Sequence, residues 1–71
     1  MTVEVRAPLA GKIWKVLVEV GSKVDEDDEI IVIEALKMEN TVYSPCKGTV
    51  KEIKVKKDDS VEDDHVLLVI E

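Results

Sequence analysis

The sequence has no phenylalanine, one tryptophan and one tyrosine, so aromatic residues fill only 3% of its 71 positions. A core without aromatic rings must be built from Val, Ile and Leu, and such a β-branched supply favours strands. The same scarcity removes the stacking platforms on which proteins hold single-stranded nucleic acid. Positive charge is short as well. Ten Lys and Arg stand against 16 Asp and Glu, a formal net charge of -6, which argues against phosphate-backbone binding. Cys46 is the only cysteine, which excludes an internal disulfide and fits a reducing setting. No apolar run approaches membrane-spanning length, and the N-terminus lacks the apolar segment of a signal peptide. These absences describe one small domain, residues 1–71, expected to be cytoplasmic and monomeric, with no nucleic acid or membrane as partner.

What is present is one pattern written twice. Shifted by 37 positions, Pro8 falls on Pro45, Gly11 on Gly48, Val18 on Val55, Val24 on Val61 and Asp27 on Asp64. Val32-Ile33-Glu34 falls on Val69-Ile70-Glu71. Two copies of one unit predict a pseudo-symmetric fold. Each copy reads as short strands punctuated by turns. Residues 2–6 alternate apolar and polar, Ala7-Pro8 breaks them, and Gly11 permits a tight turn or bulge. The apolar positions then run Ile13, Val16, Val18 and Val20, a slip of parity that calls for a bulge. The second copy slips at the same place, between Val50 and Ile53, so the irregularity reads as a built-in corner. Ile30-Ile31-Val32-Ile33 is continuous enough for a strand buried on both faces. No segment makes an amphipathic helix. The predicted architecture is all-β, about eight short strands closed into a flattened barrel or sandwich that protects its edges.

Few residues offer independent chemistry. The run Asp25-Glu26-Asp27-Asp28-Glu29 lacks the glycine and ligand spacing of a calcium loop, and it reads as a solvated turn rather than a metal site. His65 is the sole histidine and reads as a turn residue at a strand start. Cys46 reads as a small apolar filler. A nucleophile needs a base in reach and a third group to orient it, and no such set is discernible, so the chain is not expected to be an enzyme. Trp14 takes the place of Lys51 in the other copy and reads as a rim or surface residue.

Lys37 lies at the junction of the two copies, between apolar Leu36 and Met38 and bracketed by Glu34 and Glu39. On spacing alone an ordinary solvated turn lysine accounts for it. The carboxylates also differ from the apolar pocket that activates a nucleophilic lysine. An exposed amine would nonetheless suit modification by an enzyme that brings an activated acyl group. If the segment stays extended, Leu36 and Met38 fall on the face opposite Lys37.

Glu34-Ala35-Leu36-Lys37-Met38 resembles the biotin-attachment motif of biotinyl domains, normally Glu-Ala-Met-Lys-Met. The resemblance extends over essentially the whole chain, with the Pro-x-x-Gly turns at Pro8 and Pro45 and the closing Val-Ile-Glu. It implies a barrel-sandwich hybrid of two four-stranded antiparallel sheets with quasi-two-fold symmetry and the lysine on an exposed hairpin. It also implies biotin as cofactor, joined to Lys37, with Glu34, Ala35, Leu36 and Met38 as the flanks that a biotin protein ligase reads. The carrier would shuttle a carboxyl group between biotin carboxylase and carboxyltransferase sites. Leu36 departs from the usual Met, a conservative swap. Asp27 and Asp58 stand where relatives often have Gly, and Asp tolerates left-handed geometry. The stretch from Ile13 to Gly21 is too short for the thumb loop of some bacterial carriers. That leaves lipoate, placed by a lipoyl-attaching enzyme, as an alternative cofactor, and an unmodified β-sandwich interaction module as an alternative of another class. A chain of this length fits either a free-standing carrier, similar to the small biotin/lipoyl attachment proteins of bacilli, or the carrier domain of a larger carboxylase.

Overall fold

The computed structural model describes residues 2–71, and every regular element among them is a strand. In order these are β1 (Val3–Arg6), β2 (Gly11–Val16), β3 (Lys23–Val24), β4 (Glu29–Ala35), β5 (Met38–Tyr43), β6 (Gly48–Ile53), β7 (Ser60–Val61) and β8 (Val66–Ile70). They form two four-stranded antiparallel sheets, ordered β1-β8-β6-β3 and β5-β4-β2-β7. The shift of 37 residues carries each strand of the first sheet onto the strand at the same place in the second. The duplicated sequence thus folds as two interlocked copies related by a quasi-two-fold axis, and each copy gives two strands to each sheet.

The parity slips are bulges at equivalent places. In β2 against β4, Ile13 faces Ile33 and Lys15 faces Val32, so Trp14 is the extra residue. In β6 against β8, Val50 faces Ile70 and Glu52 faces Val69, so Lys51 is the extra residue. A second pair of slips lies at Ile30 in β4 and Leu67 in β8, again 37 apart. An inserted residue reverses the alternation of faces, which explains how Ile30, Ile31 and Ile33, and likewise Leu67, Leu68 and Ile70, are all buried.

The core is aliphatic. Ile13, Ile30, Ile31, Ile33, Leu67, Leu68 and Ile70 are completely shielded, with Val5, Val24, Val42, Val50 and Val61 around them. Each fully buried side chain of this kind contributes roughly 1.5–3 kcal/mol relative to exposure. Cys46 packs against this cluster as a partly buried apolar group. Ser44 is the only buried polar residue among those described, and its hydroxyl donates to the carbonyl of Cys46 at 2.6 Å.

Two details differ from the sequence reading. The apolar spacing that continues to Val20 outlasts its strand, for β2 ends at Val16 and Val20 lies exposed beyond it. Likewise β6 ends at Ile53, and the apolar position at Val55 that continues its spacing belongs, with Lys54, Lys56 and Lys57, to a connection. In both copies the chain leaves the sheet soon after the bulge to reach its short third strand.

The left-handed positions repeat as well. Asp27 (φ 69°) and Asp64 (φ 71°) form one equivalent pair, Gly21 (φ 94°) and Asp58 (φ 76°) the other. Gly11 and Gly48 serve a different need, because both lie against a neighbouring strand. A Cβ on Gly48 would sit 2.6 Å from Ile70 Cγ2 and 2.8 Å from the Glu71 carbonyl oxygen. We therefore expect Gly48→Ala to lower stability by about 1–3 kcal/mol, the usual effect of overpacking. Urea unfolding measures this, and a loss below about 0.5 kcal/mol would mean that β8 yields to the methyl group.

Candidate functional site

The hairpin between β4 and β5 gathers all five motif residues. Pairing of the two strands continues from Ile31 with Val42 through Ile33 with Asn40 and Glu34 with Glu39 to Ala35 with Met38. Only Leu36 and Lys37 remain for the turn. Both have positive φ, 52° and 64°, the signature of the two-residue type I′ turn whose twist matches the flanking strands. The segment is therefore not extended. Leu36 and Lys37 share the tip, which corrects the expectation that Leu36 and Met38 lie together on the face opposite Lys37.

Neither tip residue suits its conformation. Type I′ turns favour Asn-Gly because side chains with a Cβ crowd the backbone in the left-handed region. That conformation costs roughly 1–2 kcal/mol for an ordinary residue. The strands impose it here, and the side chains are thrown outward as a result. Leu36 is 95% exposed and Met38 65% exposed, the two largest such values among the bulky apolar residues described. The Lys37 side chain is exposed and forms no ion pair with any described residue. Its amine is free to be acylated.

The hairpin has two dissimilar sides. Strand alternation places Ala35 and Met38 on the same side as Ile33, continuing the core face. Glu34 and Glu39 face each other on the opposite side as a carboxylate pair. Lys12 lies across from Glu34 in β2 and also pairs with Asp58 at 3.7 Å. Both members of that pair are mostly exposed, so it contributes little to stability. The pair lies at the root of the hairpin. Gly11 completes the root. A Cβ there would lie 2.6 Å from the Glu34 carbonyl oxygen and 2.7 Å from Ile33 Cγ2.

Lys12, Gly11 and Asp58 escape notice as site residues in the sequence, because they lie far from the motif along the chain. The one available signal was that both copies carry a glycine at the Gly11 position. Tyr43 lies at the far end of β5, His65 precedes β8 and Cys46 follows β5. None lies near the tip of this hairpin.

The hairpin stands at one end of a body measuring 33 × 17 × 17 Å. At the root, β2 begins beside Ala35; the chain following it runs to Ser22, whose carbonyl accepts from Val50 near Glu71. Val3 pairs with Ile70 at that distant end.

Residues 3–70 match the family model for biotin/lipoyl domains, described as "Biotin-requiring enzyme". The chain is 40% identical over 67 residues to pyruvate carboxylase of Bacillus subtilis, covering 94% of the chain and 6% of the carboxylase. It is 45% identical over 64 residues to the methylcrotonoyl-CoA carboxylase alpha subunit of Arabidopsis thaliana, covering 90% of the chain and 9% of the subunit. Against the biotin/lipoyl attachment protein of Bacillus subtilis the identity is 38% over 68 residues, 96% of the chain and 90% of that protein. Among solved structures, the urea carboxylase of Kluyveromyces lactis superposes on the whole chain with a TM-score of 0.94 and 32% identity, over 6% of its own length. The chain thus spans less than a tenth of the carboxylases that it matches.

The strained tip leads to a measurable consequence. Asn at position 36 suits the first central position of a type I′ turn, so we expect Leu36→Asn to raise stability by about 1 kcal/mol in urea unfolding. An unchanged or lowered midpoint would mean that the turn relaxes without cost.

Proposed function

The chain belongs to the biotin/lipoyl attachment family, and from that membership we propose that residues 1–71 form one carrier domain, biotinylated on Lys37. The observation that carries this reading is the lysine itself, held with its amine free at the tip of a two-residue hairpin and flanked by exposed Leu36 and Met38. The fit to biotin rests on the same features. An amide link needs an unpaired, reachable amine, and a swinging group needs an attachment point clear of the barrel.

Glu34, Ala35, Leu36, Lys37 and Met38 together present the surface that a biotin protein ligase reads. In the transfer, the Lys37 amine gives up its protons and bonds to an activated biotinyl carboxyl carbon, whose leaving group departs. The ligase supplies both the activation and the deprotonating environment. The product is a neutral amide, so the formal charge goes from -6 to -7. Biotin, when bound, supplies a group that takes up and releases a carboxyl unit. The chain's own residues present it. Leu36 and Met38 offer apolar contact to whichever active site receives the tip, and Glu34 and Glu39 form an acidic root. We place the domain between a biotin carboxylase and a carboxyltransferase in the cytoplasm, as a monomeric carrier and not a catalyst. Among the described residues no helix is long and apolar enough to cross a membrane.

A second reading, lipoylation on the same lysine, is favoured by one observation, the similarity to a protein named for both groups over 90% of its length. We expect the chain, produced in cells with biotin and a biotin protein ligase, to gain the mass of one biotinyl group. Peptide mapping should place it on Lys37. Lys37→Arg should abolish the gain and leave stability within about 0.5 kcal/mol, as for an exposed surface change. Biotin retained by that variant would sink the assignment. A lipoyl increment would move the domain to acyl transfer, and no increment at all would leave an unmodified interaction module.

A further inference from the structure

A second surface lies away from Lys37, on the quasi-two-fold axis. A cavity of about 410 Å³ is lined by Glu4, Val5, Arg6 and Pro8 from one copy and Thr41, Val42, Tyr43 and Pro45 from the other. These are four equivalent pairs, each 37 residues apart. Buried Val5 and Val42 form the floor, and the prolines and the half-exposed Tyr43 ring form the walls.

The two strands that flank the groove, β1 and β5, are both edge strands. Among the described residues β1 pairs only with β8, and β5 only with β4. Each therefore turns unpaired backbone groups toward the groove, a template for an added strand. Neither strand is blunted by an internal proline or bulge of its own.

Acidic turns stand at both sides. Asp27 donates its amide to the carbonyl of Ser44, just before Pro45, and Asp64 donates to the carbonyl of Ala7, just before Pro8. These bonds set the acidic turns of residues 25–29 and 62–64 beside the groove-lining segments that end at Pro45 and Pro8, and Glu29 lies across from Tyr43 in the strand register. The cation lining it is Arg6, already engaged by Glu4 at 2.7 Å and by Asp64 through its carbonyl at 3.1 Å and its carboxylate at 3.9 Å. Lys23 and Lys47 lie with Asp25 around a separate hollow. His65 adjoins the second turn.

From this we propose that the groove docks an extended, basic segment of a partner polypeptide. Backbone pairing with β1 or β5 would hold it in place, alternate apolar side chains would sit against Val5, Val42 and Tyr43, and Lys or Arg would meet the acidic turns. A small anion is repelled by the rim. A second copy of this chain brings the same net charge of -6 to the same surface, which opposes self-pairing. Tyr43 is six residues along β5 from Lys37, about 20 Å at strand rise, so the groove can be filled while the hairpin visits an active site.

The test is a titration of the isotope-labelled full chain with the blocked peptide acetyl-Lys-Val-Lys-Val-Lys-amide, followed by amide NMR. The expected result is a saturable shift along Val3–Arg6 and Thr41–Tyr43, absent with the Glu-Val-Glu-Val-Glu counterpart. Glu26→Lys combined with Asp63→Lys, which reverses two charges of the acidic turns, should weaken binding about fivefold or more and leaves the left-handed Asp27 and Asp64 in place. Tyr43→Ala, at an exposed ring, should weaken it while the spectrum stays dispersed. Shifts confined to the acidic turns, equal shifts with the acidic peptide, or none at millimolar peptide would overturn the proposal. So would the same shifts on concentrating the chain alone, which would give the groove to a second copy.

Discussion

The register of β4 between β2 and β5 is the constraint on which the rest depends. Ile31 and Ile33 must face inward, opposite Val16 and Val42 in one case and Ile13 and Asn40 in the other. A slip of one residue would turn these isoleucines to the other face and bring Glu34 into the core. Burial of a few aliphatic side chains thus fixes the alignment, and the alignment then runs outward to Ala35 and Met38 without further choice. The turn receives the two residues that remain. Its strained geometry is imposed from the core, not selected by the local sequence.

That dependence explains what could be read from the sequence alone. The all-β class, the duplication, the bulges and the left-handed Asp27 and Asp58 were all legible, because each leaves a mark in residue type or parity. The motif placed Lys37 at a hairpin by resemblance. What the sequence did not reveal was the shape of that hairpin. Leu36-Lys37 carries none of the Gly, Asn or Asp that announces a type I′ turn, so its backbone is set by strand pairing many residues away. The contribution of Gly11 was hidden for the same reason. Its lack of a side chain matters only because β2 crosses the Glu34 carbonyl closely, and nothing in the local pattern records that approach. The ends of strands were equally obscure. Val18 and Val20 continue the apolar spacing of β2, yet the chain has already left the sheet at Val16 to reach β3.

The duplicated fold also divides labour between equivalent positions. Pro8 and Pro45, with Val5 and Val42, meet at the centre and keep their equivalence. At the ends equivalence stops being functional. Ile70 pairs with Val3 as Ile33 pairs with Asn40, but only β4 and β5 run on past that point into a turn. The asymmetry lies in a few residues projecting from an otherwise symmetric body.

Those projecting residues contradict every local rule that stabilises the barrel. Leu36 and Met38 expose apolar surface, Leu36 more than any other large hydrophobic residue described. Glu34 faces Glu39 directly, where like charges across strands are unfavourable. Leu36 and Lys37 occupy a conformation that costs each of them energy. A body of 71 residues has little stability to spare, so three unfavourable choices within six positions call for a cause outside folding. Strain and exposure concentrated where the surrounding structure over-determines the backbone are features of sites under functional demand. Under the function proposed above, the demand is for an amine that no neighbour engages and for apolar flanks that another protein can grip. Both require a rigid support that ends abruptly, and the register of β4 provides it.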